Sequence, residues 1–290
     1  MPAPLPAAAE AADLSARLLE LGWHGAARAL PDLVQSIRSP RAALQLLERL
    51  ADEESQQRAA RSLDRRQRRA HIGAFKSIAD FDWNWPTAID RARLEAALQL
   101  RFVEPGDNVV VVGSHGLGKT TLMRNIAHNA VLAGHTVCVT TAQKMLHDLS
   151  SIDSPSRLRL ALGQLAAFDV LCIDELGYLS YSERAADLFY DLVNRRYDAR
   201  RSIVISTNLA FKQWWTVFPN ATCAGAIIER LVHRADVVTI DGLSWRLKEA
   251  AERAGALPLG ATRKDFEDLR SRDNATASAP DLVDDAQEDT

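Results

Sequence analysis

The sequence predicts an α/β fold: a buried parallel sheet wrapped by helices, preceded by a small all-helical domain. Three observations carry this. From about Pro105, short apolar runs alternate with segments of helical periodicity, as in strand–helix–strand units. The runs lack polar alternation, which suits strands covered on both faces. Before residue 76, leucines recur at helical spacing between prolines.

The elements follow in order. Leu14, Leu18, Leu19 and Leu21 start an amphipathic helical pattern, and Leu44, Leu46, Leu47 and Leu50 continue it. Pro31 and Pro40 punctuate the region, with Ser39-Pro40 reading as a helix start. The helix is expected to run on through RRQRRAHIGAFK to Lys76. A connector follows to Pro86, with Phe81, Trp83 and Trp85 as anchors. Strands are expected near 108–112, 136–140, 168–173, 202–206 and 236–240. Helices are expected near 119–133, 142–150, 156–166, 183–199 and 222–233. From about Gly260 the chain is polar and acidic and reads as disordered. The expected domains are therefore helical at 1–76 with a basic segment, α/β at 77–258, and an acidic tail at 259–290.

Composition narrows the function classes. With 47% hydrophobic and 25% charged residues in 290, the chain has the make-up of a soluble globular protein. No apolar run approaches the roughly 20 residues that span a bilayer, so no membrane partner is expected. The start, MPAPLPAAAEAAD, carries Glu10 and Asp13 and no basic leader, unlike a signal peptide. Cys138, Cys172 and Cys223 lack metal-ligand spacing and suggest a reducing, cytoplasmic setting. The net charge of −3 hides an uneven distribution. Between residues 58 and 76, Arg58, Arg61, Arg65, Arg66, Arg68, Arg69 and Lys76 face only Asp64.

The motif that carries chemistry is Gly113-Ser114-His115-Gly116-Leu117-Gly118-Lys119-Thr120-Thr121, between an apolar run and a helical segment. Its spacing fits G-x-x-x-x-G-K-[ST], the P-loop. Glycines allow close backbone approach, and the following helix N-terminus favours an anion. Lys119 would contact the β- and γ-phosphates of ATP, and the Thr120 hydroxyl would bind Mg²⁺.

A second apolar run, Phe168 to Ile173, ends in Asp174-Glu175, a Walker B pattern. Asp174 would hold Mg²⁺ and Glu175 would orient the attacking water. A third run, Ser202-Ile203-Val204-Ile205-Ser206-Thr207-Asn208, could bring Asn208 or Thr207 to the γ-phosphate. Arg230, on a later helix, is a candidate for charge stabilisation in trans. Arg58, Arg61, Arg65, Arg68 and Arg69, with Arg66 beside them, recur every three or four residues and make part of one helical face basic. Such a face neutralises phosphates without choosing sequence.

Together these residues resemble the DnaC/IstB group of AAA+ ATPases, and most closely its IstB-like ATP-binding proteins. The resemblance spans about residues 14–250 and rests on GSHGLGKTTL, IDELGYL, ISTNLAF and ERLVHRADVVTIDGLSWR, in that order. It implies a AAA+ core with a parallel sheet of order 5-1-4-3-2 and ATP-driven homo-oligomerisation on duplex DNA. It also implies a partner transposase that is recruited and stimulated, and Arg230 as the finger reaching the neighbour's nucleotide. A replicative helicase loader shares this core and is the alternative. Many relatives carry Pro-x-Gly where this chain has Ser114-His115-Gly116. Arg246 is the residue to test as an additional nucleotide sensor.

Overall fold

The computed structural model describes residues 6–36, 39–178, 180–218, 221–246 and 248. The expected tail at 259–290 lies outside them. The chain divides into two compact units, 1–65 and 66–290. Residues 66–76 thus fall with the second unit, whereas the sequence expectation set the boundary at 76.

The first unit holds α1 (Pro6–Glu20), α2 (His24–Ser36) and the start of α3 (Pro40–Ala70). Its core joins Leu14 and Leu18 of α1, Leu30 and Val34 of α2, and Leu44 and Ala51 of α3. The first helix ends where Gly22 turns left-handed at φ +70°. Trp23 N–H then reaches Leu18 O and Gly22 N–H reaches Leu19 O, both at 2.8 Å, closing a Schellman motif.

Pro31, expected to interrupt, lies inside α2 instead. A proline frees the carbonyl four residues back. Here that is Ala27 O, which accepts from Ser15 Oγ at 3.2 Å. A tertiary hydrogen bond therefore lets the helix continue. The third helix stops at Ala70, short of the expected Lys76, because His71 and Gly73 adopt φ of +52° and +70°.

The second unit is built on a six-stranded sheet. Its strands are β1 (Ala88–Ile89), β2 (Asn108–Gly113), β3 (Val137–Thr141), β4 (Val170–Leu176), β5 (Ser202–Thr207) and β6 (Ala235–Asp241). The order is β1-β6-β2-β5-β4-β3. The five strands from β2 to β6 pair in parallel, in the order 5-1-4-3-2 when counted from β2. The difference from expectation is β1, a two-residue antiparallel addition at the edge of β6. Such a strand is too short to announce itself by pattern.

Helices α4 (Arg91–Leu98), α5 (Lys119–Leu132), α6 (Ala142–Ser150), α7 (Pro155–Ala167), α8 (Glu183–Asp198) and α9 (Ala221–Val232) surround the sheet. One large core packs Val110, Ile173, Ile203 and Ile205 of the sheet against Leu146, Phe189, Leu192 and Ile227 of the helices. Asn108 is buried yet satisfied: it accepts from Ile203 N–H at 2.9 Å and donates to Leu231 O at 3.0 Å.

Arg196 on α8 is buried at 0% exposure, with no carboxylate partner among the described residues. Its guanidinium donates to the carbonyls of Leu165, Ala166, Phe168, Asp169 and Ser202. It thereby satisfies carbonyls that the end of α7 leaves without helical partners. Burial holds its pKa down to about 10. This cross-link fixes the base of the sheet, opposite the strand ends that build the site.

Candidate nucleotide-binding site

Parallel α/β sheets bind ligands beyond the carboxyl ends of their strands, where the strand order reverses. Here β2 lies between β5 and β6, and its end runs through the glycine loop into α5. Gly118 caps α5 at φ +84° and Gly116 sits at φ +79°, conformations that L side chains rarely adopt. A Cβ on Gly113 would stand 2.3 Å from the backbone oxygen of Ile240. These three positions cradle the loop because no side chain fits them.

Lys119 opens α5 and folds its ammonium back to donate to Ser114 O at 2.6 Å. Burial lowers its pKa and nearby Arg246 adds to the fall, while Asp174 and Glu175 oppose it. Thr120 Oγ1 donates to Asp174 Oδ1 at 3.2 Å. Asp174, 6% exposed, ends the unbroken buried run of β4 that begins at Val170. The β4–β5 register slips between Ile173 and Leu176, and Glu175 takes φ +59°. This irregularity leaves Asp174 inside and turns Glu175 out to the surface.

Ser206 was not singled out by sequence, yet its hydroxyl joins both acids. It donates to Asp174 Oδ1 and accepts from Glu175 N–H at 3.1 Å. A serine directly after the apolar run Ile203-Val204-Ile205 was the available signal. Asn208, at the end of the same strand, lies 3.1 Å from His115 through Nδ2 and Nε2. Thr207 instead donates to Leu176 O at 2.7 Å and accepts from Leu209 N–H, serving the backbone.

These groups surround a cavity of about 370 Å³, within the usual range for small ligands. His115, Gly116, Leu117, Gly118, Lys119, Thr120 and Thr121 line it from the loop, and Glu175 and Asn208 from the strand ends. Asp174 is reached from the cavity through Thr120 and Ser206.

The opposite wall comes from the connector and the chain after β6. Phe81 packs on the loop: a Cβ on Gly118 would lie 3.1 Å from its ring. Trp85 and Trp245 meet edge to face at 5.8 Å, and Trp85 Nε1–H donates to Leu243 O at 2.7 Å. Lys248 Nζ sits 4.2 and 4.5 Å from these two ring centroids and 3.4 Å from Asp82 Oδ2. Trp245 N–H donates to Gly116 O at 2.8 Å, so the segment after β6 is fastened to the glycine loop. Arg246 lines the cavity.

The donor set fits ATP and Mg²⁺: a cradle of glycines, a lysine whose ammonium is partly desolvated, and a hydroxyl touching a carboxylate. Hard cations prefer such oxygen ligands.

Arg230 is not part of this cavity. Its guanidinium stacks 5.3 Å from the Tyr190 ring centroid, between α8 and α9. In the first unit, Arg58, Arg61 and Arg65 line a groove with Glu54 and Ser62. Glu54 pairs with Arg58 at 2.5 Å and with Arg61 at 3.3 Å. A charge tally that begins at residue 58 misses this acid, one turn earlier. In the second unit, Arg66 Nε donates to Val131 O at 3.3 Å and Arg69 lies 5.8 Å from the Phe168 ring centroid. Arg68 is exposed.

The family model of the IstB-like ATP binding protein matches residues 16–253. The ATP-binding protein ascribed to insertion sequence IS21 of Pseudomonas aeruginosa is 35% identical over 202 residues, covering 70% of this chain and 76% of that protein. The one ascribed to IS232 of Bacillus thuringiensis subsp. berliner is 34% identical, covering 61% of this chain and 72% of that protein. Among solved structures, DnaI aligns with a TM-score of 0.48 at 23% identity, covering 60% of this chain and 90% of that one.

Proposed function

The chain belongs to the IstB-like ATP-binding protein family, and from that premise we propose that it is an ATPase acting in DNA transposition. It hydrolyses ATP with Mg²⁺, self-assembles on duplex DNA, and recruits and stimulates a partner transposase. The observation that supports hydrolysis best is the meeting of Lys119, Thr120, Glu175 and Asn208 around one cavity, with Asp174 hydrogen-bonded behind them.

Phosphoryl transfer is mostly positioning and charge stabilisation. The backbone from Gly113 to Thr121 holds the phosphates, with Lys119 moving from Ser114 O to the β- and γ-phosphates. Thr120 and Asp174 hold Mg²⁺, which when bound neutralises charge on the phosphate oxygens. Glu175 orients the attacking water, and Ser206 keeps Glu175 and Asp174 in register. Asn208 contacts the γ-phosphate. Arg230, outside its own cavity, serves the nucleotide of a neighbouring copy. Arg58, Arg61, Arg65, Arg66, Arg68 and Arg69 contact DNA phosphates, with Glu54 tempering the first two.

The domain reading carried forward is a helical, DNA-contacting part before an ATPase core. The test is binding of the full chain to labelled duplex and single-stranded DNA at one salt concentration, with ATP, ADP or no nucleotide. Fixed salt is required because phosphate contacts make affinity steeply ionic-strength dependent. Cooperative, ATP-dependent binding to duplex is expected. A preference for single strands would replace this reading with that of a helicase loader. Binding indifferent to nucleotide would overturn the coupling between cavity and DNA.

A further inference from the structure

The loop residue His115 fills the variable middle position of the Pro-x-Gly found in many relatives, and the ATPase reading gives its side chain no role. Its position is specific. His115 lines the cavity, as does Asn208, and Asn208 Nδ2 lies 3.1 Å from His115 Nε2. The Tyr178 ring meets the imidazole edge to face at 5.9 Å and 87°, steadying its orientation. Asn208 stands at the end of β5, a strand that hydrogen-bonds both β2, which feeds the loop, and β4, which carries Asp174.

We propose that His115 is a positioning residue that fixes the Asn208 amide and so sets the preference of the site for a nucleoside triphosphate over a diphosphate. This rests on the ATPase reading of the same cavity. A primary amide has two chemically opposite ends that differ little in shape. In the tautomer that carries its proton on Nδ1, the imidazole accepts Nδ2–H at Nε2, and the amide then cannot turn end for end. Turning it would set Oδ1 against the Nε2 lone pair. The second Nδ2 hydrogen then remains to meet a terminal phosphate oxygen, and Oδ1 remains to accept from water. ADP lacks the γ-phosphate, so only the triphosphate benefits from a fixed amide.

The test is calorimetric titration of the full chain with Mg²⁺-ADP and with a Mg²⁺-bound non-hydrolysable ATP analogue. Losing one positioned neutral hydrogen bond corresponds to a roughly 3–10-fold change. His115→Ala is expected to reduce the triphosphate-over-diphosphate preference by about that factor. Asn208→Ala should reduce it at least as much, and the double variant no further than Asn208→Ala alone. His115→Gln, whose side-chain oxygen accepts the same N–H, should keep the preference.

Equal weakening of both nucleotides by His115→Ala would overturn the proposal, as would effects of the two substitutions that multiply. Failure of the unsubstituted chain to bind either nucleotide would instead bring down the nucleotide reading itself.

Discussion

Replacing Ser206 with alanine removes one oxygen and disturbs two groups. The Ser206 hydroxyl is buried at 1% exposure, donates to Asp174 Oδ1, and accepts from Glu175 N–H at 3.1 Å. A hydrogen bond to a charged group contributes about 1.5–3 kcal/mol, and a buried N–H left unpaired costs about 1–3 kcal/mol. The two terms share an atom and do not add fully, so the expected loss of stability is about 2–4 kcal/mol.

Glu175 adds a functional consequence. Its φ of +59° costs about 1–2 kcal/mol for an L-residue, and its N–H bond to Ser206 helps to hold it there. Without that bond the carboxylate loses its aim. Turnover is expected to fall about tenfold or more, the equivalent of at least ~1.4 kcal/mol of barrier, with KM changing far less. Urea unfolding followed by tryptophan fluorescence reads the stability term, because five of the six tryptophans lie in the second unit. An unfolding free energy within about 0.5 kcal/mol of the unsubstituted chain, with turnover intact, would refute the bridging role.

Three further outcomes are expected. Gly116→Ala forces a Cβ to 2.0 Å from Ser244 Oγ at φ +79°, and should cost more than the ~1–2 kcal/mol of the backbone conformation alone. Adding Ser244→Gly should recover the steric part, and urea midpoints that show no recovery would refute the contact. Arg196→Met takes a donor from five carbonyls, of which Asp169 O keeps the Ser202 N–H, and should cost about 3–5 kcal/mol, read as a lowered Tm; a loss under ~1 kcal/mol would mean the carbonyls left without a donor find other partners. Glu175→Gln should bind ATP yet stop hydrolysis, while Arg230→Ala should spare nucleotide binding and lower turnover only in the assembled form; unaltered turnover of the assembly would end the trans assignment.

Much of the architecture could be read from local pattern. The apolar runs at 108–112 and 202–206 differ from β2 and β5 by one residue, and α6 at 142–150 was placed without error. The P-loop was readable because its glycines, lysine and threonine are consecutive, and both acids of β4 because they end an apolar run. What could not be read depends on distant partners. The strand β1 exists only because Ala88 and Ile89 pair with Asp241 and Ile240. The third helix was extended too far because left-handed residues at 71 and 73 leave no periodic trace.

The sequence by itself determined the alternation of strand and helix, the P-loop and the acids that end β4. These depend on side-chain periodicity and on backbone freedom within a few residues, so neighbours in the chain suffice to encode them. Only the tertiary structure decided that Ser206 would bridge Asp174 and Glu175, that Trp245 would fasten to Gly116, and that Ser15 would take the carbonyl freed by Pro31. Each of those is a hydrogen bond closed between segments 12 to 129 residues apart. Nothing in local spacing specifies such a partner; burial does, because a polar group taken from water must find one.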